Sequence, residues 1–268
     1  MPPRWRPRLT ADVPRDLVQV APGVHVATSA VYTTTSTVVV AADGTCLVVD
    51  PAVTAREVDD LAATIRARGW TPVAVWSTHA HWDHVLDGPG LAHLPRWSAD
   101  VPTTDRETLA AERDADPELA GSGAPPAPIA AAATRYPQRS PGVLDWPGPT
   151  VQVLVHAAHA RPHTALFLPD AGVLVAGDML SDMEIPLLDL SADDPVDDYV
   201  RGLALLESTG ADLVIPGHGH VGTDLSRRAA ADRSYLSALV AGDDTMDERC
   251  ALPWTAAAHG AQRAAVGR

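Results

Sequence analysis

Between His79 and His84 the chain packs three imidazoles and a carboxylate into six residues, in Thr78-His79-Ala80-His81-Trp82-Asp83-His84. They directly follow the apolar run Val73-Ala74-Val75-Trp76. A buried strand cannot deliver so many polar groups into an interior unless each is neutralised or paired. A divalent metal ion resolves the conflict by taking up their lone pairs. Three more candidate donors each close an apolar run: His159 after Val151-Gln152-Val153-Leu154-Val155, Asp178 after Gly172-Val173-Leu174-Val175-Ala176-Gly177, and His218 after Leu213-Val214-Ile215-Pro216-Gly217. One zinc ion takes three or four protein ligands. Seven donors therefore point to two ions.

The order His-x-His-x-Asp-His, then a distant His, Asp and His, resembles the metallo-β-lactamase superfamily of metal-dependent hydrolases, over roughly Val18 to Leu239. That resemblance implies an α/β fold of four layers, an αβ/βα sandwich. It also implies that His79, His81 and His159 hold one metal, that Asp83, His84 and His218 hold the other, and that Asp178 bridges them. The usual Pro-Gly-His is replaced here by Ala157-Ala158-His159, and His163, in His159-Ala160-Arg161-Pro162-His163, is a rival third ligand. The double-His order favours His159. The expected cofactors are two zinc ions, with iron or manganese as alternatives.

Composition narrows the function classes. The formal net charge is −14, so a phosphate backbone finds no basic footprint, and nucleic acid is not the expected partner. Lysine is absent, which excludes Schiff-base chemistry through that side chain. Cys46 and Cys250 lie far apart and form no metal-type pair. No apolar run suits a signal peptide or a membrane span, so a cytoplasmic protein with no membrane partner is expected.

Turn signals at Pro22-Gly23 and Asp43-Gly44 separate short strands at Leu17–Val20, Val24–Val26, Thr37–Val40 and Cys46–Val49. A helix is expected over 53–68, closed by Gly69, and another short one from His84 to Gly88-Pro89-Gly90. Residues 90–146 form the irregular part, with a helical piece over 104–115 and a loop over Gly121–Pro128, and are expected to act as a lid or insert. Strands near 151–155, 165–168, 173–176 and 213–215 and helices over 195–208 and 224–240 make a second half. The organisation expected is an N-terminal extension over 1–16, one domain over 17–241 and a tail over 242–268. The ligand segments all follow strand ends, so both halves feed one edge of the sandwich.

Metal-bound water, with its pKa lowered from about 15.7 to near 7, is the nucleophile such a site supplies. The resemblance thus implies a hydrolase that directs a metal-bridging hydroxide at a small ester, lactone or thioester, with Asp83 both ligand and catalytic proton carrier. Asp50, Thr78, His163 and His220 are candidates for holding the ligands in place, whereas Trp82 suits a pocket wall or the core. Asp178 stands where antibiotic-degrading β-lactamases carry Cys or Ser, and Ser181 where acyl-homoserine lactonases place a Tyr. Two alternatives are a single-iron persulfide dioxygenase of the same superfamily and a non-catalytic, metal-stabilised protein that binds a small molecule. Metal analysis separates zinc from iron.

Overall fold

A computed structural model describes residues 15–100, 105–243 and 247–266. Most of the expected N-terminal extension and the first residue of the expected 104–115 helix lie outside the described residues. The first sheet contains β1 (Val18–Ala21), β2 (Val24–Thr28), β3 (Thr35–Val40), β4 (Thr45–Val49), β5 (Thr71–Trp76), β6 (Arg96–Ser98) and β7 (Thr134–Arg135), side by side in chain order. The second contains β8 (Gln138–Ser140), β9 (Val143–Leu144), β10 (Gln152–His156), β11 (His163–Leu168), β12 (Val173–Gly177) and β13 (Leu213–Pro216), again in sequential order.

The period of two along the strands decides which core each side chain joins. In β4, Leu47 and Val49 face the second sheet, packing in one cluster with Leu166, Val173, Val175 and Ile215. Their neighbours Cys46 and Val48 face the other way, against Val58, Leu61, Ala62 and Ile65 of α1 (Ala55–Ala67). In β12, Val173 and Val175 point inward, while Leu174 packs on the outer helices α4 (Pro195–Glu207) and α5 (Leu225–Ala241). Helix, sheet, sheet, helix is the four-layer sandwich expected from the sequence.

Local chemistry sets the helix limits. Thr54 caps α1 by accepting from the Glu57 N–H, and the Glu57 carboxylate accepts in return from the Thr54 N–H at 2.9 Å. The insert contains α2 (Arg106–Ala115) and α3 (Pro117–Ser122), so Gly121 and Ser122, expected in a loop, complete a helix that Asp116 caps. The helix expected from His84 onward does not form; a single 3-10 turn, Trp82–His84, ends there.

The expected tail is also corrected. Residues 253–266 form α6 (Pro253–Val266), docked on α5. Gln262 is buried there, accepting from the Leu188 N–H at 2.6 Å and donating to the Tyr235 hydroxyl at 2.7 Å. Among the described residues no helix is long and apolar enough to cross a membrane.

Candidate metal centre

The parallel pairs β4/β5 and β12/β13 bring four strand ends to one edge of the sandwich. Asp50 follows β4, the His79–His84 segment follows β5, Asp178 follows β12 and His218 follows β13, while His159 occupies the turn from β10 to β11. The two sheets are pinned together at this edge. Thr164 donates its N–H and its hydroxyl to the Thr78 carbonyl, at 2.9 and 2.8 Å, and Thr35 donates to the Gly217 and Pro216 carbonyls at 2.7 and 2.6 Å.

Two donor clusters result, one of His79, His81, His159 and Asp178, the other of Asp83, His84 and His218. In the first, His81 Nδ1 lies 3.0 Å from His79 Nε2 and 2.9 Å from His159 Nε2. Asp178 spans both clusters. Its Oδ1 is 3.1 Å from His84 Nε2, and its Oδ2 is 3.3, 3.4 and 3.5 Å from Nε2 of His218, His159 and His79. Asp83 Oδ2 lies 3.1 Å from His218 Nε2. The close approach depends on Gly217, where a Cβ would sit 2.1 Å from Asp178 Oδ1.

Hydrogen bonds behind the rings fix which nitrogen faces inward. Asp50 Oδ2 accepts from the Thr78 hydroxyl at 2.6 Å and from His84 Nδ1 at 2.9 Å, and Oδ1 accepts from the Thr78 N–H at 2.9 Å. With its proton on Asp50, the Thr78 oxygen accepts from His79 Nδ1 at 3.1 Å. His159 Nδ1 donates to the Leu187 carbonyl at 2.9 Å, and His218 Nδ1 to that of Tyr32 at 3.3 Å. In these four rings Nδ1 is engaged behind the ring and Nε2 points to the centre, as metal ligation requires.

Electrostatics divide the group. Burial would lower His84 and His218, but the surrounding carboxylates, Asp178 foremost, hold both well above the usual imidazole range. Burial would raise Asp83, yet His84 and His218 bring it down to about 2. Burial, with His81 adding to it, lowers His159 to about 4, and burial likewise keeps His79 and His163 well below their ordinary value. His84 Nε2 and Asp178 Oδ1 are buried without a hydrogen-bond partner. An inward-facing imidazole nitrogen and a carboxylate oxygen, buried 3.1 Å apart, fit a divalent cation that would take the place of the proton between them.

The rival third histidines are separated by their partners. His163 is buried one layer back, its Nε2 accepting from the Asp178 N–H at 3.1 Å and its Nδ1 facing His156 at 3.2 Å. It supports the Asp178 backbone, while His159 reaches the cluster. His220, expected to hold a ligand, does not: its side chain is 66% exposed and bonds Asp182 at 2.9 Å. The residue after His218 turns the chain outward, and Asp182 captures the His220 ring.

A cavity of about 610 Å³ opens on the clusters. Trp82 lines it and also packs into the core beside α1. Of the described residues in 90–146, Asp116 lines the cavity. The wall comes from Glu184, Leu187 to Leu190, and from Trp254, Ala258, Ala261 and Gln262 of α6. Sequence reasoning missed Glu184, Tyr32 and this helix. Glu184 left one trace, an acid beside the apolar Ile185-Pro186-Leu187-Leu188, and α6 left another, Pro253 opening an alanine-rich stretch.

Comparison with known proteins agrees with this geometry. The family model described as the metallo-beta-lactamase superfamily matches residues 31–218. Among solved structures, a metallo-beta-lactamase family protein from Thermus thermophilus is 22% identical, with a TM-score of 0.61 over 85% of each chain. A beta-lactamase domain protein from Burkholderia ambifaria is 22% identical, with a TM-score of 0.61 over 86% of this chain and 79% of its own. The metallo-beta-lactamase FIM-1 from Pseudomonas aeruginosa, in its mono-zinc form, is 17% identical with a TM-score of 0.58, over 84% and 97%. No curated protein sequence matches the chain. The two-sheet sandwich, the donor clusters on its edge and a family match across most of the chain together make this protein a member of the metallo-beta-lactamase superfamily.

Proposed function

We propose that this protein is a dinuclear metal hydrolase, using zinc, that acts on a small ester, lactone or thioester. The observation that carries the reading is Asp178, whose carboxylate lies between the clusters, Oδ1 near His84 and Oδ2 near His79, His159 and His218. Divalent ions bound there would supply Lewis acidity, bringing the pKa of water from about 15.7 to near 7 and polarising a carbonyl. The chain's own groups would do the rest. His79, His81 and His159 would hold one ion, Asp83, His84 and His218 the other, with Asp178 between. Asp83, which also lines the cavity, is positioned to take a proton from an attacking water. Trp82 and the wall of Glu184 and Leu187 to Leu190 would limit the space around the acyl group and restrict access of bulk water.

Two clusters weigh in favour of this reading over a single-iron dioxygenase, which needs one. The test measures metal content and hydrolysis of a panel of acyl substrates for native protein, Asp83→Ala and His84→Ala. Two zinc ions per native chain and activity abolished in both variants are expected. Full esterase activity in either metal-loaded variant would refute the reading, and one iron per chain would replace it with the dioxygenase.

A further inference from the structure

The cavity wall carries information about the substrate beyond its reacting carbonyl. One side is apolar, formed by Leu187, Leu188, Leu190, Trp254, Ala258 and Ala261. Among the described residues outside the two donor clusters, the ionisable side chains that line the cavity are three acids, Asp116, Glu184 and Asp189, and one base, Arg161. That base is already engaged: one nitrogen of its half-exposed guanidinium pairs with Asp198, which also engages Arg201.

Several other polar groups at the wall are engaged as well. The Tyr32 hydroxyl gives its proton to Asp116 at 2.8 Å. The Leu188 N–H donates to Gln262 at 2.6 Å, and the Gln262 amide donates to Tyr235 at 2.7 Å. A carboxylate on the remote part of a ligand would thus enter a half-apolar space beside the carboxylates of Asp116 and Asp189 and the buried Glu184. The guanidinium at hand, Arg161, already pairs with Asp198, and a charge desolvated without a full partner is costly. An alkyl chain in the same place loses nothing polar and gains contact with the leucines and the helix.

We propose that this site takes acyl substrates whose part remote from the scissile carbonyl is uncharged and apolar, and discriminates against those with a remote carboxylate. The inference rests on the hydrolase reading for the position of the carbonyl, and its test reads binding instead of turnover. Isothermal titration of the zinc-loaded full chain would compare octanohydroxamic acid with suberic monohydroxamic acid, its analogue of equal length ending in a carboxylate. The neutral ligand is expected to bind about tenfold tighter or more, the scale of a like-charge contact at a partly solvated site. Leu190→Arg, at an exposed position on the rim, is expected to recover about tenfold for the carboxylated ligand by supplying an unpaired guanidinium. Equal or tighter binding of the carboxylated ligand by native protein overturns the inference, as does no gain in Leu190→Arg. Binding of neither also overturns it, and the zinc content of the same sample separates the causes. Two retained ions place the failure in the pocket, and their loss places it in the metal centre.

Discussion

Replacing Asp50 by Asn keeps the shape of a buried side chain while changing what it can accept. In the native site Asp50 receives three hydrogen bonds, from the Thr78 N–H, the Thr78 hydroxyl and His84 Nδ1. An asparagine whose oxygen keeps the Thr78 N–H must turn its NH₂ toward the other two. The Thr78 hydroxyl can rotate to accept. His84 can accept only by moving its proton from Nδ1 to Nε2, the nitrogen 3.1 Å from Asp178. The substitution therefore places a proton where the ligand lone pair should be. One hydrogen bond to a charged group contributes about 1.5–3 kcal/mol, and at about 1.4 kcal/mol per decade this is about 10- to 100-fold in affinity. Losses of that size are typical when the partner behind a ligand is altered. Competition with a chromophoric chelator would show one of two zinc ions weakened by this factor, with the circular-dichroism spectrum unchanged. Two ions held with native affinity in Asp50→Asn would refute the argument that Asp50 sets the His84 tautomer.

Glu184 gives a pH prediction for chelated protein. Burial, opposed by His218 and reinforced by Asp178 and Asp83, pushes its carboxyl up to about 8. A folded value raised above the unfolded one contributes stability that is present below the ordinary 4.5 and lost as pH rises through about 8. Glu184→Gln removes that loss. Its stability relative to native, followed by urea unfolding, should rise between about pH 5 and 8 and then level off, by an amount on the order of a few kcal/mol. A pH-independent difference would contradict this. Gln262→Leu keeps much of the side-chain volume but strips the Leu188 N–H and Tyr235 hydroxyl of their partner, so a loss of about 1–3 kcal/mol is expected in urea unfolding, with a raised KM for long-chain esters. An unchanged midpoint and KM would show that α6 does not hold the wall.

The donor set was legible because its chemistry is local and dense. Imidazoles and carboxylates that close buried strands have few fates, and His79 to His84 places four of them on one strand end. Helix α1 was equally plain, since Thr54, Glu57 and Gly69 mark its ends within the segment itself. What remained hidden depends on tertiary contact. The alanine-rich run 256–258 acquires a role only when Gln262 meets Leu188 and Tyr235, residues distant in sequence. His220 misled for the opposite reason, being two residues from a donor yet turned out to Asp182. Position in a motif says nothing of the direction in which a chain leaves it.

Each cluster draws on both halves of the polypeptide: His81 meets His159 across 78 residues, with His79 beside them, and Asp83 and His84 meet His218. Whatever grips such a cluster acts as a rivet through the two sheets, closing a loop as a disulfide would, but reversibly and at a strength set by ion concentration. A chain cleaved in the segment joining the sheets should consequently stay assembled while the rivets are in place and come apart into halves when they are withdrawn.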